Sequence, residues 1–272
     1  MEALIPLETS IICSANDGEG KTIIAIARRL GFDVRESFQP WGATLDKEPE
    51  STFYHLKKNV VIVEIPGFDK ENELRHSHTV YIIDHHQYEG IDRRHPRSSL
   101  EQFAALVGYA LTRQELGIAL NDRGHIVALR ENGYSEEEIK DIRQVDLSAQ
   151  GYTADDLKSA KRDYAAGKLL TQDIYLVVTK SAKTSYFADL HDKRGCGSCL
   201  LILQVKEDDR ITSANFYGTP ERIDNLCRKI GGYCGGGANA MYWGKTFDPP
   251  VHQNDVLSIV CKSAGKNKEV CE

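Results

Sequence analysis

The sequence predicts an α/β protein: a mainly parallel sheet flanked by helices, followed by a second, smaller mixed α+β domain. Three observations carry this. Near the start, a strand pattern, a glycine-containing loop and a helical pattern follow one another at residues 9–13, 14–21 and 22–30. Residues 59–65 and 80–83 are short apolar runs that read as buried strands. Helical patterns then fill the middle third, and strand signals return at residues 173–179, which predicts domains at 1–168 and 169–272.

Taken in order, residues 32–38 read as a second strand, 49–58 as a helix, and 59–65 as a strand carrying one acid, Glu64. A carboxylate near the end of an apolar strand is costly unless it is paired or binds a metal. The run ending at Ile83 opens into Asp84-His85-His86, at the strand end where open α/β sheets bind ligands. Alone, that triplet reads more readily as a surface turn. A basic loop, residues 93–97, leads to Ser98 and Ser99, which suit the cap of a helix over 100–110. A helix over 113–120 runs into Asn121-Asp122-Arg123-Gly124. Ser135 with Glu138, and Thr153 with Asp156, have capping-box spacing and start helices through about Gln144 and Ala166. Beyond these, residues 200–205, 211–217 and 256–261 read as strands, and 220–230 as a helix entered through Thr219 and Pro220. The segment 231–237 reads as a loop. Its glycines Gly235, Gly236 and Gly237 would let backbone amides converge on an anion, with plain flexibility as the alternative.

With 34 basic and 40 acidic residues, the net charge of −6 argues against long duplex nucleic acid as a partner. No membrane-spanning run is visible, and residues 1–6 lack the features of a signal peptide, so a cytoplasmic location and no membrane partner are expected. Seven cysteines, an odd number in a chain of 272 residues, predict reduced thiols. Cys196 and Cys199 have zinc-knuckle spacing, but the gap from Cys227 to Cys234 is wrong for a second knuckle. His76 and His78 read as solvated, or as supporting a ligand without being one, and Tyr242-Trp243 as either a base-stacking pair or core packing.

Four stretches place acids or histidines at element ends: Asp17 with Glu19, Glu64, the triplet, and Asp122. Mixed carboxylate and imidazole donors suit Mn²⁺ or Mg²⁺. Two such ions can activate water and hold the attacking and leaving oxygens of a phosphoryl displacement. These residues resemble the DHH phosphoesterases, a family named for the triplet. The family's first loop, His-x-x-x-Asp-x-Asp, corresponds to Cys13-Ser-Ala-Asn-Asp17-Gly-Glu19. Its middle-strand acid corresponds to Glu64, its serine-rich helix start to Ser98-Ser99, and its fourth acid to Asp122. The Gly-Gly-Gly-His-like loop of its second, DHHA1-like domain resembles the stretch from Gly235 to Gly244.

The resemblance implies metal-dependent hydrolysis of phosphodiester or phosphomonoester bonds; the acidic net charge and a two-domain cleft favour short oligonucleotides or small nucleotides as substrates. It implies that Asp17 and Glu64 serve one ion, and Glu19, Glu64, His85 and Asp122 another. Asp84 would orient the histidine, while His86 and Arg123 face the phosphate. Gly235, Gly236 and Gly237, with Lys245, would bind the far end of the substrate. The sequence departs from the pattern at Cys13, a soft ligand where the family has histidine, at Glu19 and Glu64, each one methylene longer than aspartate, and at Ala238 and Asn239, where the terminal histidine would lie. Two other readings follow from the same residues. One is a catalytically weakened nucleotide-binding protein. The other is a P-loop NTPase using residues 15–22, in which Asp17 and Glu19 would place negative charge beside a triphosphate.

Overall fold

In a computed structural model, the described residues are 3–88, 90–194, 199–206, 209–236 and 241–263. They form two compact units. The first comprises Met1–His85, Arg94–Arg123 and Asn132–Gly151, and the second His86–Arg93, Gly124–Glu131 and Tyr152–Glu272. No helix among the described residues is long and apolar enough to cross a membrane.

The first unit is built on β1 (Thr9–Ser14), α1 (Gly18–Arg29), β2 (Asp33–Ser37), β3 (Asn59–Val63), α2 (Phe68–Arg75) and β4 (Thr79–Ile83). The strands form a four-stranded sheet in the order β2-β1-β3-β4, with every pairing parallel. Covered on both faces, β3 has no exposed residue, which explains its unbroken apolar run. Ile12, Ile62 and Ile65 pack with Leu45 and Leu74 on one side, while α1 buries Ile23, Ile26 and Ala27 at helical spacing. The unit also holds α3 (Ser99–Val107) and α5 (Glu136–Ala149), and α4 (Arg113–Glu131) begins in it. Both expected caps form: Ser98 with Glu101, and Ser135 with Glu138, make reciprocal capping boxes.

Two expectations for this stretch are corrected. Residues 49–58 are not an α-helix: only a 3₁₀ turn forms at Glu50–Phe53, and His55, at φ 56°, ends any helical run. Likewise α4 does not stop at residue 120. It continues through Asp122 and Arg123, and its break comes at His125, with φ 53° and ψ −154°.

The second unit contains β5 (Gln87–Tyr88), β6 (Ile91–Asp92), α6 (Ala154–Ala165), β7 (Lys168–Thr171), β8 (Ile174–Thr179) and α7 (Ser185–Arg194). After these come β9 (Cys199–Val205), β10 (Ile211–Gly218), α8 (Pro220–Ile230), β11 (Tyr233–Gly236), β12 (Met241–Val251) and α9 (Gln253–Ser263). Its strands make a mixed sheet in the order β6-β5-β11-β12-β10-β9-β8-β7, parallel only between β8 and β9. Phe216, Cys234 and Trp243 form one core with Ile223 and Leu226 of α8 and Val256 and Val260 of α9.

Here too the structure corrects two readings. Residues 256–261 are helical; Val256 and Val260 are one turn apart and both buried, a helical spacing hidden inside a β-branched run. The glycine segment is largely strand, because Cys234 packs in the core opposite Trp243 and the backbone pairs with β12. Trp243 is fully buried and so unavailable for stacking a base.

Candidate metal centre

The carboxyl edge of the first unit's sheet gathers four donors from four segments. The chain turns from β1 straight into α1, with Asp17 as N-cap accepting the Gly20 amide at 2.7 Å. A Cβ on Gly20 would run into the carbonyl of Ser14, so only glycine allows this tight entry. One turn in, the buried Glu19 accepts backbone N–H groups from Ser99 at 3.2 Å and Leu100 at 3.0 Å. The N-terminus of α3 thus holds this carboxylate as it would any anion. Glu64 leaves β3 at φ 55°, a left-handed conformation that costs a non-glycine residue about 1–3 kcal/mol. Asp84, also buried, accepts the backbone N–H of His85 at 2.8 Å and so fixes the turn at which His85 leaves β4.

These placements converge on one imidazole nitrogen. His85 Nε2 lies 2.6 Å from Asp122 Oδ2, 3.2 Å from Glu64 Oε1 and 3.8 Å from Glu19 Oε2. The four donor atoms all lie within 4.8 Å of one another. Ligands of a small divalent ion, bound at about 2.1 Å, stand no more than about 4.2 Å apart, so a closing of about half an ångström at the widest pair brings the group onto such an ion. Its chemistry, three carboxylates and one imidazole, fits a hard divalent cation.

The electrostatics agree. Burial raises the Glu19 carboxyl well above its ordinary range, and Asp122 and Glu64 raise it further. Asp17 is raised in the same way, by burial and then by Asp122, Glu64 and Asp146. Burial works against a charged His85, yet Asp122 and Glu64 outweigh it and hold the imidazole pKa well up. A divalent cation would relieve the carboxylate crowding that an imidazolium proton relieves in part.

Asp17 and Cys13 supply no atom to this group. Cys13 is buried, its thiol pushed up by burial and by Glu64, Asp17 and Glu19, and its Sγ–H reaches the Gly20 carbonyl at 3.7 Å. The neutral thiol is a poor ligand. Arg123 Nε pairs with Glu101 Oε2 at 3.1 Å, and the guanidinium also donates to the Pro96 carbonyl at 3.3 Å. His86 opens the second unit, where a Cβ on Gly235 would stand 2.8 Å from His86 Cδ2 and 3.1 Å from Tyr242 Cε1. Glycine there makes room for both rings. Gly236 pairs with Met241 in the sheet, Lys245 donates to the Ile230 carbonyl at the end of α8, and Gly237 lies outside the described residues. Cys196 is outside them as well. Cys199 accepts from Arg222 at 3.1 Å, and among the described residues no cysteine joins a metal-ligand group.

The P-loop reading fails on the amides it would need. Gly18 N–H is taken by Asp146 Oδ1 at 3.0 Å and Gly20 N–H by Asp17, so carboxylates already occupy the start of α1.

Asp146 and its partner Arg143 escaped the reading of the sequence. Both are buried, with Arg143 bonded to Asp146 Oδ2 at 2.6 Å and to Asn121 Oδ1 at 3.1 Å. The signal was present: Ile139, Ile142, Arg143, Asp146 and Leu147 share the buried stripe of α5, where an arginine and an aspartate need a reason.

The strain at Glu64 is testable. Glu64→Gly removes the left-handed penalty and one of three crowded carboxylates, so the metal-free variant is expected to be about 1 kcal/mol more stable than wild type. Urea unfolding in a chelator measures this, and a less stable variant would show that the pairing of Glu64 with His85 outweighs the backbone strain.

No family model matches the sequence, and no curated protein matches it. Among solved structures, an exopolyphosphatase-related protein from Bacteroides fragilis superimposes with a TM-score of 0.50 at 12% identity, over 94% of this chain and 91% of that one. That likeness establishes a shared fold. RecJ in complex with Mn²⁺ from Thermus thermophilus follows at 11% identity and a TM-score of 0.47, over 96% of this chain and 53% of that one, too distant to add to the argument.

Proposed function

We propose that this chain is a metal-dependent phosphohydrolase of the DHH phosphoesterase kind, acting on phosphate esters of small nucleotides or short oligonucleotides. The observation that carries the reading is the convergence of Glu19, Glu64 and Asp122 on His85 Nε2 at the carboxyl edge of a parallel sheet. The resemblance of the first loop, the triplet and Asp122 to that family, and the fold shared with the exopolyphosphatase-related protein, point the same way.

In this reading Glu19, Glu64, His85 and Asp122 hold Mn²⁺ or Mg²⁺. When bound, the ion supplies Lewis-acid activation of water and charge neutralisation at a phosphoryl oxygen. Glu19 is kept in place by the amides of α3, and Asp84 sets the backbone from which His85 projects. Arg123, steadied by Glu101 and Pro96, and His86 are assigned to the phosphate. Gly235, Gly236 and Gly237, in the C-terminal part from residue 169, are assigned to the distal end of the substrate. One ion at the His85 group is the working stoichiometry. A second ion at Asp17 would compete with the Gly20 amide and find a protonated thiol at Cys13.

Incubating the chain with a 5′-phosphorylated dinucleotide and Mn²⁺ is expected to release mononucleotides, and none with a chelator, as followed by anion-exchange chromatography. Intact dinucleotide and intact monophosphate esters in Mn²⁺ would sink the hydrolase reading. If Mn²⁺ still binds in that case, the departures at Cys13, Glu19 and Glu64 favour the weakened, nucleotide-binding reading.

A further inference from the structure

Where β2 runs out at Ser37, the first unit turns two large aromatic side chains to solvent: Phe38 is 89% exposed and Trp41 63%. The loop that carries them is braced. Gln39 closes it by donating to the Thr44 carbonyl at 2.9 Å and accepting the Thr44 amide at 3.2 Å. The buried Glu48 carboxylate accepts from both the Ser37 hydroxyl and the Gln39 amide. Leu45, fully buried, donates its N–H to the Pro66 carbonyl at 3.0 Å, tying this loop to the one that follows Glu64. Trp41 therefore stands at the tip of a loop whose base is fixed by buried polar groups, while its indole is left in water. A mere connector needs neither feature.

Sheet register gives the place from which the loop carrying these rings leaves the sheet. Ser37 pairs with Ser14, and Cys13 with Val63, so Phe38 leaves the sheet one residue beyond the row on which Glu64 follows β3. With β1 between them, the ends of β2 and β3 stand about 10 Å apart, and β4, which leads to His85, lies one strand further. A nucleotide with its phosphate beside Glu64 spans most of the first distance, and an aromatic side chain reaching back from β2 covers the remainder. Phe68, 64% exposed, is the first residue of α2, four residues beyond Glu64, and adds a third exposed ring to the segments that follow these strands.

We propose that Phe38 and Trp41 are the stacking platform for the nucleobase of a substrate whose phosphate is held at the His85 group, and that they select nucleotides over base-free phosphate chains. The inference rests on the hydrolase reading for the role of that group. Stacking tolerates every base, since each has a π-face, so the platform confers a nucleotide requirement with weak sequence preference.

The two tryptophans differ in a way that makes the test direct: Trp243 is fully buried, so solvent-side changes in fluorescence report Trp41. Titrating the full chain with AMP, with and without Mn²⁺, is expected to quench tryptophan emission saturably, and the quench should vanish in Trp41→Phe. By calorimetry, Trp41→Ala and Phe38→Ala should each weaken AMP about 5- to 150-fold, the range of one lost stack. Ribose 5-phosphate, which lacks a base, should bind wild type and variants alike. Both side chains are exposed, so unchanged circular dichroism is expected throughout. An AMP-silent Trp41, or variants that lose AMP and ribose 5-phosphate equally, would overturn the platform. Mn²⁺-dependent cleavage surviving alongside that result would leave the hydrolase reading standing, whereas a base-dependent quench without any cleavage would remove the hydrolase reading alone.

Discussion

In His85→Ala, Mn²⁺ is expected to lose its stabilising effect on the chain. An ion held at a hundred times its dissociation constant stabilises the wild type by about 2.7 kcal/mol, and the variant should show no measurable gain. His85 is the one donor common to every short contact of the group, at 2.6 Å from Asp122 and 3.2 Å from Glu64. Removing a residue that merely supports a ligand costs about 10–100-fold in affinity, and removing the ligand itself costs more. The metal-free variant should also be weaker. Asp122 and Glu64 hold the His85 pKa up, which favours the charged imidazole that offsets the crowded carboxylates, and alanine leaves them facing one another. Thermal unfolding in chelator and in Mn²⁺ separates the two effects. An undiminished Mn²⁺ shift in His85→Ala would remove the metal centre from this group.

Sequence alone went furthest where chemistry and backbone are local. The run from Val80 into Asp84-His85-His86, the acid at the end of β3 and the capping boxes at Ser135 and Thr153 are all short-range patterns, and the structure builds each as read. The parallel sheet followed from apolar runs that bury both faces. What stayed hidden depends on partners distant in sequence. Nothing near Glu19 says that its carboxylate will be held by the amides of Ser99 and Leu100, eighty residues on. Asp17 is held by a bond its family resemblance does not announce, capping α1 through Oδ1 on the Gly20 amide. For residues 256–261, β-branched composition competed with a one-turn spacing, and packing against the sheet of the second unit decided for the helix.

The least legible part of the first unit is the one whose loss should cost the most stability. Arg143→Met is expected to destabilise the chain by about 3–5 kcal/mol, the range for breaking a buried ion pair from one side. Arg143 and Asp146 are both buried, and Asp146 also accepts from Gly18 N–H at 3.0 Å and from Gln150 at 3.0 Å. Without the guanidinium, Asp146 is a buried charge beside Asp17, whose own carboxyl it already pushes up. The damage should also reach the metal group from two sides. Asn121, which Arg143 holds at 3.1 Å, precedes Asp122, and Gly18, which Asp146 holds, precedes Glu19. Asp146→Leu added to Arg143→Met removes the stranded charge, and should recover part of the loss but not all, because Gly18 N–H is then left without its acceptor. Urea unfolding of the single and double variants in chelator measures both steps. A loss below about 1 kcal/mol in Arg143→Met, the range of an exposed pair, would show that the pair is solvated and that Asn121 and Gly18 are positioned by other contacts.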